Sequence, residues 1–161
     1  MGLEVMKNKK IKLCLAASSG GHFEQLMMLK PLMNKYDKFV MTERTNYNVE
    51  ITGIKTYYLR QINRKEKMFL PKLIINTLSS LGAFIKEKPD VIICTGVLAM
   101  VPMCLIMKML GKRLIYIESF AKVTSPTLTG RILYKYADQF YIQWEGLKRF
   151  YPNAIYCGGI Y

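Results

Sequence analysis

The stretch LCLAASSGGHFEQL, residues 13–26, decides the fold. An apolar run from Ile11 to Ala17 stops at Ser18, Ser19, Gly20 and Gly21, and a helical pattern starts at His22. Strand, small-residue turn and helix form the opening unit of a doubly wound α/β domain. Glycines let the backbone bend tightly and let another group approach closely. The amides of a first helical turn, aided by the helix dipole, suit a phosphate or diphosphate. Ser18, Ser19, Gly20 and Gly21 are therefore candidate anion-binding residues. Many such turns bind nothing, so on the loop alone both readings stand. The dinucleotide pattern G-x-G-x-x-G is missing, because Phe23 stands two residues after Gly21. The P-loop pattern is missing too. Glu43, near the end of the next strand, could imitate a ribose-binding acid, which keeps a dinucleotide enzyme open as a rival.

Composition narrows the class. A chain of 161 residues supports one full core, and a single domain over 1–161 is expected. Hydrophobic residues make up 51%, which excludes a disordered chain. The net charge of +13 implies an anionic partner: nucleic acid, an acidic membrane surface or a phosphate-bearing ligand. The four cysteines are far apart, and with His22 the only histidine no metal site is expected. Cys14 and Cys94 fall in apolar runs and read as reduced core residues. The N-terminus MGLEVMKNKK lacks the apolar core of a signal peptide. Residues 91–107 carry no charge, but Thr95-Gly96 and Pro102 interrupt them. The run also falls short of the ~18–20 apolar residues of a membrane span, so it reads as a buried strand and helix.

Along the chain, strands and helices alternate. A helix is predicted over 22–35, a strand over 38–42, a polar turn over 43–50 and a strand over 54–59. The basic stretch RQINRKEK, 60–67, precedes a helix over 68–87 with Pro71 in its first turn. A strand over 91–95 ends at the Gly96 turn, followed by a helix over 98–110 and a strand over 113–117. Glu118 comes directly after that strand. A helix over 127–137, a strand over 139–143, a short piece over 144–151 and a strand over 155–157 complete the pattern. This predicts a doubly wound parallel sheet of six or seven strands, covered on both faces. Right-handed crossovers then bring Gly20, Gly21, His22, Gly96 and Glu118 to one sheet edge.

Apolar surface flanked by cations is what a peripheral membrane contact needs. Arg60, Arg64, Lys65, Lys67, Met68, Phe69, Leu70 and Lys72 are the candidates for it. The rest of the 68–87 helix reads as packed against the core.

Three blocks together carry a resemblance: LCLAASSGGHFEQL, then KPDVIICTGVLAMVP, then LIYIESFAKVTSPTLTGRILYKYADQFYIQ. In order and spacing they resemble the acceptor-side half of GT-B glycosyltransferases. The likeness is to the PssD/CpsF-like and ALG-fourteen-like proteins and to the N-terminal half of MurG, whose Gly-Gly-His loop matches Gly20-Gly21-His22. Where MurG has a Gln-Asn pair after its glutamate, this chain has Ser119-Phe120. The resemblance implies a Rossmann-like N-terminal half of a GT-B fold, ending where a linker to the donor half would begin. It implies a partner, a donor-binding subunit that is ALG-thirteen-like or PssE-like. The acceptor would be a polyprenyl-diphosphate-linked glycan, the donor a UDP-sugar, and the setting capsule or exopolysaccharide biosynthesis. The protein would work peripherally at the cytoplasmic face of the cell membrane, with no cofactor. Ser18, Ser19, Gly20, Gly21 and Gly96 would meet the acceptor diphosphate.

In inverting sugar transfer, a general base takes the proton of the attacking hydroxyl. His22 and Glu118 are the candidates on this half. His22 titrates in the useful range, and a helix N-terminus favours its neutral form. It could equally cap the helix, and Glu118 could orient a loop. Glu43, Arg44 and Arg131 read as solvated surface. Trp144, Phe150 and Tyr151 would either pack within the domain or bury a partner interface. One rival function is a non-catalytic membrane scaffold that enhances a partner enzyme. Nucleic-acid binding rests on charge alone, lacks interleaved aromatics, and is not expected.

Overall fold

The computed structural model describes residues 10–46 and 51–161. The charged N-terminal stretch 1–9 and the end of the expected polar turn, 47–50, lie outside the described residues. Seven strands form one sheet: β1 (Lys12–Ala16), β2 (Asp37–Arg44), β3 (Thr56–Arg60), β4 (Val91–Cys94), β5 (Arg113–Ile117), β6 (Gln139–Ile142) and β7 (Ile155–Tyr156). Their order is β3-β2-β1-β4-β5-β6-β7, and every neighbouring pair is parallel. The central strands read as unbroken apolar runs because helices cover both of their faces.

The chain steps outward from β1 to β3, returns to set β4 beside β1, then steps outward the other way. The reversal opens a crevice at the C-terminal ends of β1 and β4, the place where such sheets bind ligands. Leu13 pairs with Val91 and Ala16 with Cys94, so the two strands end level.

The helices are α1 (Gly21–Met27), α2 (Lys30–Lys35), α3 (Phe69–Glu87), α4 (Val101–Met109) and α5 (Leu128–Leu133). Leu13, Leu15, Ala17, Ile93 and Ile117 face Phe23, Leu26 and Met33 on one side of the sheet. Cys14, Ile92, Leu114 and Tyr116 face Met103, Met107 and Leu133 on the other. The helix expected over 22–35 is two helices. Pro31 has no N–H for the carbonyl one turn back, and it sits instead in the first turn of α2. The helix expected over 98–110 opens as a 3-10 turn, Leu98–Met100, and the one expected over 127–137 ends at Leu133.

α3 departs most from expectation. Its deepest side chains are Asn76, Ser80, Ala83 and Glu87. Asn76 stands in for a neighbouring strand: its Oδ1 accepts the Arg60 amide at 2.9 Å and its Nδ2 donates to the Arg60 carbonyl at 2.8 Å. Glu87 accepts from Lys12 at 2.6 Å, and from Lys55 and Tyr57. The helix is apolar on its other side as well. Leu70, Ile74, Leu78, Leu81 and Ile85 are 65%, 60%, 64%, 40% and 62% exposed and recur at helical spacing. The sequence reading kept membrane contact to the N-terminal end; the outward apolar stripe in fact runs the helix's full length.

Candidate functional site

At the crevice, Gly20 (φ 77°) closes the turn into α1, and its carbonyl accepts the Phe23 and Glu24 amides at 2.8 and 3.0 Å. Ser18 is buried, its hydroxyl donating to the Ser19 carbonyl at 3.2 Å; Gly20 and Gly21 are exposed. His22 follows. Its carbonyl accepts the Thr95 hydroxyl at 2.8 Å, which ties α1 to the end of β4. Its ring occupies the space beside Gly96: a Cβ there would lie 2.9 Å from His22 Cε1 and 3.0 Å from Nδ1. Gly96 has φ +135°, a conformation that L side chains rarely adopt. Val97, next in the chain, holds φ 82°. A β-branched residue there is strained, and strain of this kind gathers at functional loops. Burial lowers the His22 pKa below its ordinary value, opposed by the Thr95 backbone and the Glu118 charge. Its Nδ1 is buried with no hydrogen-bond partner among the described residues.

Glu118 leaves β5 at the same edge but turns inward. Its carboxylate accepts the Ser119 amide at 2.9 Å, the Thr127 amide at 3.2 Å, the Thr127 hydroxyl at 2.8 Å and the Tyr151 hydroxyl at 2.8 Å. Its backbone carbonyl accepts Gln143 Nε2 at 2.8 Å and Gln25 Nε2 at 3.3 Å. The residue has no exposed surface. Glu118, read from the sequence either as a base at the ligand edge or as a loop-orienting residue, is held by these contacts as an internal clamp between β5, α1, β6 and the start of α5. Burial, then the Glu118 charge, pushes the Tyr151 and Tyr116 hydroxyls up. Gly130 makes room for the clamp, since a Cβ there would fall 2.2 Å from Glu118 Oε2.

Sequence reasoning missed Thr127 and Gly130 and left Tyr151 undecided. Thr127 has a readable signal, since it caps α5 by accepting the Gly130 amide at 2.8 Å. Trp144 packs within the domain, its Nε1 donating to the Phe120 carbonyl at 2.7 Å, and Tyr151 is buried; Phe150 is exposed. Glu43 is a further correction: it is 4% exposed, not solvated, and accepts the Ile62 amide at 3.4 Å. Burial raises its pKa, partly opposed by that amide. Arg44 lies over the Tyr58 ring, and Arg131 is exposed.

Of the expected membrane-contact residues, Arg60, Arg64, Lys65, Lys67, Met68 and Leu70 are exposed. Phe69 is corrected: it packs half-buried against the larger core cluster. Lys72 is partly withdrawn, paired with Glu66. Among the described residues, no helix is long and apolar enough to cross a membrane.

Comparison with known proteins agrees with this architecture. A. baumannii MurG superposes with a TM-score of 0.70 at 16% identity, covering 84% of this chain and 42% of MurG. A UDP-N-acetylglucosamine 2-epimerase from Rickettsia bellii gives 0.71 at 13% identity, covering 94% of this chain and 45% of the epimerase. The chain thus spans less than half of these structures, and the likeness is to the fold of one Rossmann-like half of a GT-B architecture. In sequence, the UDP-N-acetylglucosamine transferase subunit ALG14 of Yarrowia lipolytica is 33% identical over 94% of this chain and 82% of its own length. The human protein of that name is 27% identical over 98% of this chain and 87% of its own length. The family model described as "Oligosaccharide biosynthesis protein Alg14 like" matches residues 33–160. With that match spanning most of the chain, the protein belongs to the Alg14-like family of oligosaccharide biosynthesis proteins.

Proposed function

We propose that the chain, as one domain, is the acceptor-binding and membrane-associating subunit of a two-chain inverting glycosyltransferase. The relatives' name, UDP-N-acetylglucosamine transferase subunit, supports the transferase role and favours N-acetylglucosamine as the sugar moved. The acceptor is a polyprenyl-diphosphate-linked glycan, and the partner is a donor-binding subunit, ALG-thirteen-like or PssE-like. Capsule or exopolysaccharide assembly is the finer part of the proposal. The relatives named above carry a glycosyltransferase name without that setting. The protein sits peripherally on the cytoplasmic face of the membrane, with α3 lying along the lipid surface.

The observation that carries this reading is geometric. All seven strands are parallel, so the His22 crevice after β1 and the basic loop from β3 into α3 leave the same sheet edge. The candidate crevice and the start of the apolar helix therefore open on one edge of the sheet, which suits a lipid-linked acceptor.

In the reaction, the acceptor hydroxyl oxygen attacks the anomeric carbon of the UDP-sugar. The bond from that carbon to the diphosphate oxygen breaks, and UDP leaves with the electron pair. The hydroxyl proton passes to His22, whose lowered pKa keeps the imidazole neutral and able to accept it. Loop 18–21 and Gly96 face the acceptor diphosphate. Glu118 is a positioning residue that holds the neighbouring loops. The test is sugar transfer from UDP-N-acetylglucosamine by the chain alone and mixed with its donor-side partner. Transfer only in the mixture, lost in His22→Ala, supports the proposal. Transfer by the partner alone, boosted equally by wild-type and His22→Ala chains, makes this protein a scaffold.

A further inference from the structure

A cleft of about 750 Å³ lies between the loop after β3 and the loop before α5. Arg64 lines it from the first loop, Lys122 from the second, and Arg131 from α5. None of these three side chains forms an ion pair with another described residue. Among the described residues, Glu66 is the one carboxylate on the lining, and Lys72 already holds it. The cleft is therefore cationic and large enough for an anion.

Both walls are fastened from behind by buried carboxylates. On one side, Glu43 accepts the amide of Ile62, a lining residue. On the other, Glu118 holds the Ser119 amide and the whole start of α5 through Thr127. The Lys122 amide turns back onto the Ser119 carbonyl at 3.0 Å, and the Arg131 amide bonds the Thr127 carbonyl at 3.1 Å. The backbones carrying Lys122 and Arg131 are thus set by one buried clamp. Such preorganisation suits a site that recognises a compact anion. Two guanidinium forks and an ammonium match phosphoryl oxygens, and a diphosphate has the charge to use all three. The first wall runs within a few residues into Met68 and Leu70, the exposed apolar start of α3.

We propose that this cleft binds the phosphate or diphosphate of a lipid. Arg64, Lys122 and Arg131 contact the phosphoryl oxygens, and the lipid chain leaves along Met68, Leu70 and Ile74. The inference rests on the membrane reading above, and an acceptor diphosphate seated in this cleft would take the place of loop 18–21 as its site. Two lipids share this chemistry: an anionic phospholipid, through its headgroup, and the polyprenyl-diphosphate acceptor.

The experiment is vesicle flotation of the full chain. Phosphatidylcholine vesicles carry either phosphatidylglycerol or a polyprenyl-diphosphate-linked sugar. The triple variant Arg64→Gln, Lys122→Gln, Arg131→Gln is compared with a charge-matched control, Lys30→Gln, Lys135→Gln, Lys148→Gln, at exposed positions outside the cleft. The cleft triple is expected to lose on the order of 100-fold in binding, and the control triple about tenfold or less. Millimolar inorganic pyrophosphate should displace the wild type and leave the cleft triple unaffected. A cleft-specific loss on phosphatidylglycerol alone assigns the headgroup as source, and on the polyprenyl diphosphate alone, the acceptor. Equal losses in the two triples on both vesicles overturn the proposal. If the cleft triple unfolds, Arg64→Gln and Arg131→Gln, both at exposed positions, read the same contrast singly. Failure of sugar transfer with every partner, alongside cleft-specific binding, would sink the transferase reading and leave this site standing.

Discussion

The His22 ring fills the place that a side chain at residue 96 would take, within 2.9 Å of a Cβ built on Gly96. α1 and the end of β4 thus meet through a ring packed on bare backbone at the sheet's switch point. Gly96→Ala must displace the imidazole and force an unfavourable φ. The expected cost is about 1–3 kcal/mol of stability. Transfer by the assembled enzyme should fall on the order of 100-fold, as it does when a reacting group is misplaced by about 1 Å. Urea unfolding and sugar-transfer assays read the two effects separately. An unchanged rate in a folded Gly96→Ala protein would remove His22 from the chemistry.

The titration of His22 sets a pH dependence. Its folded pKa is lowered, burial being the leading cause, so the neutral form persists below the ordinary value of 6.5. Its contribution to stability is full above that unfolded value and is lost as pH falls through the lowered folded value. Transfer should follow the same direction, with an acid limb below 6.5 that His22→Gln abolishes. An acid limb unchanged in that variant assigns the base elsewhere.

Glu118 and Gly130 form a second dependent pair. Gly130→Ala places a methyl 2.2 Å from Glu118 Oε2 and 2.6 Å from the Tyr151 oxygen. Neither neighbour has room to retreat, because the carboxylate is held from several sides and the tyrosine is buried. We expect Gly130→Ala to destabilise by roughly 3 kcal/mol or more, by overpacking and loss of the network. Tyr151→Phe should cost about 1–2 kcal/mol, and its effect should be non-additive with Glu118→Gln. Additive losses in a double-mutant cycle would show that the two groups do not act as a unit.

The strands were legible because β1, β4 and β5 are nearly uninterrupted apolar runs, which only a sheet buried on both faces demands. The glycine turn and the convergence of His22 and Gly96 followed from parallel topology alone. The break at Pro31 was hidden because the apolar spacing continues across it. The Glu118 clamp was hidden for another reason. Apart from Tyr116 and Ser119 close by, its carboxylate is held from 9 and 33 residues away, and no local pattern announces those donors. α3 packs on the core through Leu73, Ala83 and Phe84, as its apolar spacing led one to expect, but aliphatic periodicity does not show that a second apolar side of the helix stays exposed. Only the inward polar set of Asn76, Ser80 and Glu87 reveals which side faces out.

Glu87 makes the fold acid-sensitive. Burial alone would raise its pKa, but hydrogen bonds from Lys12, Lys55 and Tyr57 outweigh it and pull the value down to about 2. A depressed carboxylate contributes stability that is full above its unfolded value of 4.5 and lost as pH falls towards 2. Glu87→Gln should therefore be less stable than wild type at neutral pH and show a flatter decline over that interval. Thermal unfolding across the range would test this, and parallel declines in the two proteins would refute it.

The outward stripe of α3 yields the most direct test of how the protein meets a membrane. Ile74 and Leu78 are 60% and 64% exposed and touch little of the core, so Ile74→Glu with Leu78→Glu should change folding stability by about 0.5 kcal/mol per site or less. On a lipid surface the same two side chains would each bury area worth roughly 1.5–3 kcal/mol. The double variant should therefore float with anionic vesicles on the order of 100-fold less well while unfolding normally in urea. High salt distinguishes the contributions, since it weakens the cations of the 60–67 loop and leaves the apolar term in place. A double variant that keeps wild-type vesicle binding but fails to co-purify with a donor subunit would reassign the stripe to a protein interface. A variant that loses neither would mean that this face contributes to no contact the enzyme needs.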